Sequence, residues 1–257
     1  MEYMLLIQAS ERRFATLGQK EMGANMEAYG TFTKELFQSG RAGDCAALEP
    51  TKSATTVRVR NDQRSVSDGP YAETREQLGG YYVVNVETPD EAYAIAAKIP
   101  DATGGAIEVR PVKNMVTPEQ GSAAKSQAAV GKKPADATKE YLLLICEDEA
   151  NWAKITPAEA GKIMGEYKAF SDEIKTSGHF VAGAQLGPAA AGKAVRAKNG
   201  DRTVTDGPYA ETREQLGGYY RVWARDLDEA IALAARIPAA RTGCVEVRPV
   251  MDTSAYV

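Results

Sequence analysis

The chain has 257 residues and a formal net charge of −4, with 44% hydrophobic and 26% charged residues. That is an ordinary balance for a globular protein of one large or two average domains. No Lys/Arg-rich run offers a face to nucleic acid, and no apolar stretch approaches the roughly 18–20 residues needed to cross a bilayer, so neither partner is expected. Residues 1–8, with Glu2 ahead of a short apolar run, read as a strand rather than a signal peptide, which gives the expectation of a cytoplasmic protein.

In chain order, residues 3–8 form a short apolar strand. A helix follows, with Met22, Met26, Tyr29, Phe32 and Leu36 at helical spacing, and it stops at Ser39-Gly40. A second strand ends near Pro50. Residues 56–60 then alternate apolar and basic, turn at Asn61-Asp62 and return through residues 64–66 as a hairpin. Residues 81–86 make another strand. A second helix opens on the capping box Thr88-Pro89-Asp90-Glu91 and ends at Ile99-Pro100, and residues 105–112 make the last strand.

The series then repeats 138 residues on, without a gap. Residues 1–112 and 139–250 share 54 identities, and the helix of the second copy opens on Thr156-Pro157-Ala158-Glu159 and stops at Ser177-Gly178. A period this long is a domain duplication, since solenoid repeats run about 20–50 residues. Residues 113–138, rich in Ala, Ser, Gly, Lys and Pro, read as a flexible linker whose r.m.s. span is on the order of 27 Å. Residues 251–257 are a C-terminal tail. The element order is β-α-β, an inserted hairpin, then β-α-β, which is a ferredoxin-like α+β plan. Two helices cover one face of each sheet and leave the other bare. The two sheets are therefore expected to pack together within one chain as a pseudo-dimer about an approximate two-fold axis, monomeric in solution.

One block is identical in both copies: Asp-Gly-Pro-Tyr-Ala-Glu-Thr-Arg-Glu-Gln-Leu-Gly-Gly-Tyr-Tyr, residues 68–82 and 206–220. Outside it, 39 of the remaining 97 aligned positions match. A 15-for-15 run against that background points to a constraint shared by both copies. Together with Tyr-Met-Leu-Leu-Ile at the start and Ile-Glu-Val-Arg-Pro-Val at the close, the block resembles the signature of the YCII-related, or DGPF, family over about 110 residues of each copy. The resemblance implies a dimeric α+β barrel and no settled reaction. It also implies a regulatory setting, because family members are often encoded beside extracytoplasmic-function sigma factors, so association with such a factor is one expectation. YciI-type members carry a histidine on the first helix, eleven residues before the helix-ending glycine. Here those positions are Tyr29 and Tyr167, and a phenol is a poor base near pH 7.

Within the block, Asp68 and Asp206 are either turn formers or carboxylates held at a strand end, able to act as a base with Glu73 and Glu211. Arg75 and Arg213 suit a carboxylate or phosphate through a bidentate fork, or pair with a neighbouring glutamate. Tyr71, Tyr209, Gln77, Gln215, Tyr29 and Tyr167 complete the candidate binding set. Gly79-Gly80 permits a bulge or a close backbone approach. Arg58/Arg196, Arg64/Arg202 and Arg110/Arg248 recur at alternating strand positions and make either a polar, anion-attracting face or, the preferred reading, the solvated face of an edge hairpin. His179 is the one histidine and has no counterpart in copy one. Cys45, Cys146 and Cys244 align with Gly183, Gln8 and Ala106, so neither a disulfide framework nor a metal site is expected. No phosphate-cradling glycine motif or nucleophile triad is present, so no cofactor is expected. Two readings stay open. One is a small-molecule binder, or a cofactor-free acid–base enzyme acting on a small anionic metabolite. The other is a non-catalytic regulatory or interaction module in which the block locks the two copies together.

Overall fold

The computed structural model describes residues 1–116, 131–198, 201–210 and 212–253. Copy one runs β1 (Glu2–Ala9), α1 (Glu11–Ala15), α2 (Gln19–Gln38), β2 (Ala42–Ala47), β3 (Thr55–Arg60), β4 (Gln63–Asp68), β5 (Gln77–Asn85), α3 (Pro89–Ala96) and β6 (Ala106–Val116). Copy two runs β7 (Lys139–Glu147), α4 (Pro157–Thr176), β8 (Phe180–Leu186), β9 (Lys193–Lys198), β10 (Asp201–Asp206), β11 (Gln215–Ala224), α5 (Leu227–Ala234), α6 (Ala239–Thr242) and β12 (Cys244–Pro249). The capping box on α4 is formed: Glu159 N–H donates to Thr156 Oγ1 at 3.3 Å and Thr156 N–H donates to Glu159 Oε2 at 2.7 Å. These bonds satisfy backbone donors that a helix start leaves unpaired. They also hold the Glu159 carboxyl below its ordinary pKa.

Each copy contributes four antiparallel strands in ferredoxin-like order, β2-β5-β1-β6 and β8-β11-β7-β12. The helices bury one face of each sheet. In copy one, Phe32 and Leu36 of α2 and Ala92, Ile95 and Ala96 of α3 meet Leu5, Ile7, Ile107 and Val109. The opposite faces meet each other through Met4, Leu6, Tyr81 and Val83 of copy one and Leu142, Leu144, Ala184 and Tyr219 of copy two. The single chain is therefore an intrachain dimeric α+β barrel built from two ferredoxin-like copies.

The two inserted hairpins are exchanged. The β3–β4 hairpin of copy one, turning at Asn61 and Asp62 with φ of 50° and 60° as a type I′ turn requires, pairs with β12 of copy two. The β9–β10 hairpin of copy two pairs with β6 of copy one; Asn199 and Gly200, between its two strands, lie outside the described residues. Val57 and Val195 are fully buried, each in the other copy's core. The last strand of each copy also reaches the second strand of the other. The end of β6 lies along β8, and Leu48 and Val250 form the matching bridge.

Strand β6 runs to Val116, four residues past the expected end at Val112, because those four residues extend this seam. The stretch expected to be linker also packs on copy two at its far end. Gly131 N–H donates to Lys175 O at 2.7 Å, the Lys133 ammonium sits 3.4 Å from the Trp223 ring centroid, and Ala137 is buried. Residues 117–130 of the expected linker lie outside the described residues.

Candidate functional site

The repeated block begins at the base of each exchanged hairpin, where Asp68 faces Thr55 and Asp206 faces Lys193, and runs into the seam between the copies. Gly69 and Gly207 hold φ of 97° and 91°, which glycine adopts without strain, and their N–H groups donate to Ala54 O and Gly192 O at 2.8 and 3.0 Å. This turn leaves Asp68 and Asp206 exposed on the strand end. Asp206 is 90% exposed and meets Lys193 at 2.5 Å. The chain then enters the interface. Tyr71 N–H donates to Glu246 Oε2 at 3.0 Å and Tyr209 N–H to Glu108 Oε2 at 3.3 Å, each reaching the last strand of the other copy. Burial pushes the Tyr71 phenol well above its ordinary pKa. Burial and the Glu76 carboxylate push Tyr209 to about 12.

Thr74, Glu76 and Gln77, with their counterparts in copy two, make contacts within the block and to the neighbouring hairpin. Thr74 Oγ1 donates to Glu76 O at 2.5 Å and Gln77 Nε2 to Thr74 O at 2.8 Å. Thr212, Glu214 and Gln215 repeat the arrangement. Glu214 takes a bidentate pair from Arg58 of the exchanged hairpin at 2.6 and 2.8 Å, and Glu76 meets Arg196 at 3.4 Å. The Arg58 fork holds the Glu214 carboxyl below its ordinary range. Gly79 and Gly217 sit at the register shifts opposite β1 and β7, where the bulges form. A Cβ on Gly80 or Gly218 would lie 2.7 or 2.6 Å from the carbonyl oxygen of Ala46 or Ala184, so only glycine fits.

Several expected site groups are not brought together. Arg75 and Glu73 are exposed, Arg213 is 91% exposed with its Nε 3.9 Å from Asp148, and Glu211 lies outside the described residues. Among the described residues no aspartate of the block pairs with an arginine of the block. Asp206→Ala is therefore expected to change the free energy of unfolding by less than about 0.5 kcal/mol, as read from urea denaturation; a loss several times larger would restore a structural role for that carboxylate.

Arg110 and Arg248 overturn their reading as a solvated face. Each is 1% exposed at the seam. Arg248 donates to Glu246 Oε1 at 3.0 Å and to the carbonyls of Glu49 and Leu78 at 2.9 and 3.2 Å. Arg110 meets Glu108 Oε1 at 3.2 Å and the carbonyls of Gly187 and Leu216 at 2.5 and 3.2 Å. The alternation was read correctly, but the face opposite Ile107 and Val109 looks onto the other sheet, not onto water. These groups enclose a small cavity of about 60 Å³ on the pseudo-two-fold axis, lined also by Tyr71, Gln77, Tyr209 and Gln215.

Near that axis the copies stop being equivalent. The Tyr81 and Tyr219 rings lie 5.0 Å apart, and both phenols donate to Asp44, at 2.9 Å from Tyr219. Arg221 donates to Asp44 Oδ1 and Cys45 O, both at 2.9 Å, and also to Glu140. Asp44 aligns with Ala182 and Arg221 with Val83, so the network has no symmetric mate.

A larger space opens elsewhere, between α4 and the sheet of copy two. It encloses about 580 Å³ and is lined by Trp152, Met164, Tyr167, Lys175, Phe180 and Tyr220 among others, with Lys113 of copy one among the lining groups. Ser171 Oγ and Tyr220 Oη share a 2.7 Å hydrogen bond on its wall. Tyr167 donates to Glu147 at 3.5 Å, whereas its counterpart Tyr29 is tied at 2.7 Å to Asp101, a buried carboxylate that copy two replaces with Ala239. Of the expected residues, Tyr167 and Gln215 line this cleft and Tyr29 does not. Sequence reasoning missed Trp152, Lys175 and Phe180, because these are positions where the copies differ: copy one has Phe14, Phe37 and Ala42 there.

Among the described residues no group of three His, Cys, Asp or Glu side chains is placed to hold a metal. Cys146 and Cys244 are buried register partners, and Cys45 is partly buried with its thiol pushed up to about 11 by burial. His179 meets Ser177 at 2.8 Å and Glu229 at 3.7 Å, outside both cavities. No helix among the described residues is long and apolar enough to cross a membrane.

Comparison with known proteins places these features in a family. An uncharacterised protein of Rhizobium meliloti (strain 1021) is 34% identical over 114 residues, which is 44% of this chain and 92% of that protein. A solved structure described as "Putative Chlorite dismutase TA0507" aligns with 99% of this chain and 96% of its own at 6% identity, with a TM-score of 0.47. The YCII-related domain matches residues 1–116 and again residues 139–254. With both copies matched, the chain belongs to the YCII-related family, as a tandem member.

Proposed function

We propose that this protein binds a small molecule in the α4 cleft of copy two, and that the repeated block serves to lock the two copies rather than to carry chemistry. The observation that supports the reading is the cleft itself: about 580 Å³, walled by aromatic side chains with a few convergent polar groups. That is the size and make-up of small-ligand sites in general. The block, by contrast, spends its backbone N–H groups, Thr74, Thr212, Glu76 and Glu214 on contacts within itself and across the seam.

The test is a metabolite screen by thermal shift on the full chain, since a ligand that binds the native state raises its melting temperature. Hits are then followed by tryptophan fluorescence. Trp152 lines the cleft and Trp223 is covered by Lys133, so binding should alter the emission of wild type and not that of Trp152→Phe. Ser171→Phe, which fills the cleft, should abolish the thermal shift, and Asp206→Ala should keep it. Loss of binding in Asp206→Ala with retention in Ser171→Phe would return the site to the block.

A further inference from the structure

The cleft contains one cation whose surroundings call for an anion. Lys175, in the last turn of α4, is only 4% exposed, and its Nζ lies 5.3 Å from the centroid of the Phe180 ring, both side chains lining the cleft. Among the described residues no carboxylate lies within salt-bridge distance of it. Asp172, the nearby acid of the same helix, accepts from Lys168 at 2.5 Å. The two acids that line the cleft are also engaged. Glu147 accepts from Thr242 and Tyr167, and Glu149 accepts from Ala189 N–H at 2.8 Å and lies 3.8 Å from Arg110. Burial of an ammonium out of contact with a carboxylate is unfavourable, and burial lowers the Lys175 pKa here against the more distant pull of Asp172. The last turn of a helix tolerates a cation, but that needs neither burial nor an aromatic neighbour.

We propose that the ligand of this cleft is an amphipathic carboxylic acid, its flat apolar body lying among Trp152, Tyr167 and Phe180 and its carboxylate on the Lys175 ammonium. The inference rests on the cleft being the binding site. Of the three lysines that line the cleft, Lys113 is exposed and Lys168 is paired with Asp172, which leaves Lys175 as the one buried anchor, a match for a single carboxylate rather than a doubly charged phosphate monoester. Copy one has Phe37 at the equivalent position, 52% exposed, and offers no such anchor. The expected stoichiometry is therefore one ligand per chain.

The test uses matched probes, 2-naphthoate and the neutral 2-naphthamide, titrated calorimetrically into the full chain and into Lys175→Met and Lys175→Arg. The naphthoate should bind wild type with one site and at least tenfold more tightly than the amide. Lys175→Met should erase that preference while leaving the amide affinity unchanged, and Lys175→Arg should keep it. Equal binding of both probes to wild type would overturn the carboxylate assignment and leave the cleft reading intact. So would a preference that survives in Lys175→Met. Failure of both probes to bind wild type counts against the cleft itself, and the assignment to Lys175 falls with it.

Discussion

Residues 1–116 and residues 131–257, produced as separate chains, are expected to assemble one to one, and neither is expected to persist as a folded monomer. The exchanged hairpins are the first reason. Strand β3 finds its ladder partner on β12 and β9 finds its partner on β6, so each half alone leaves a hairpin without a sheet and a last strand with an open edge. The second reason is area. Copy one alone would expose Met4, Leu6, Leu48, Tyr81 and Val83, all now buried against copy two. At about 1.5–3 kcal/mol for each large apolar side chain, the loss is roughly 10 kcal/mol, comparable to the whole stability of an ordinary domain at about 5–15 kcal/mol.

The alternative for each half is to pair with itself, and here the asymmetric network decides. A copy-one homodimer would bury two Asp44 carboxylates with no Arg221, and a copy-two homodimer would place Arg221 opposite Ala182. Losing one partner costs about 3–5 kcal/mol for a fully buried pair and about 0–1 kcal/mol for an exposed one; Asp44 and Arg221 are half-buried, so mixing should favour the heterodimer roughly tenfold or more. Native mass spectrometry of the mixed halves checks this. A statistical mixture of the three dimers would show that the network does not discriminate, and a monomeric, cooperatively folding half would show that the hairpin exchange is dispensable.

Much of this molecule could be read from the sequence, and the exceptions share a cause. Apolar periodicity, capping boxes and the ungapped repeat located each copy's core strands and long helices, because those signals are local. The destination of the hairpins was not local. Alternation at Val57 and Val59 tells that one face is buried, not which sheet buries it. The identity of the block was taken as a constraint shared by both copies and searched for chemistry, but two copies meeting on a pseudo-two-fold axis must satisfy the same contacts twice. Glu76 with Arg196 and Glu214 with Arg58 are one contact seen from both sides. Identity in both copies is what such a paired contact requires. The cleft lies where the copies diverge, at Gly183 against Cys45, Trp152 against Phe14 and Lys175 against Phe37. A search that rewards repetition passes over such positions.

Arg248→Met is expected to be the most destabilising single substitution at the seam, by about 3–5 kcal/mol. The guanidinium is 1% exposed and serves three acceptors, Glu246 Oε1 and the carbonyls of Glu49 and Leu78. Methionine preserves the apolar length of the side chain, so the loss isolates the charge and its hydrogen bonds. What it leaves behind decides the size of the effect. Burial already raises the Glu246 pKa against the pull of Arg248 and of the Tyr71 N–H, so without the arginine that carboxyl is a buried acid with one backbone donor. The seam can respond by protonating it, and the penalty should therefore shrink as the pH is lowered toward the raised Glu246 value. Urea denaturation at neutral and mildly acidic pH measures both quantities. The double variant Glu246→Gln/Arg248→Met should recover part of the loss at neutral pH, because an amide can still accept from Tyr71 N–H and carries no charge to bury. An Arg248→Met penalty below about 1 kcal/mol, the range of exposed ion pairs, or one that grows on acidification, would mean that the seam is held by its apolar contacts alone and that the Glu–Arg pairs of β6 and β12 are not its lock.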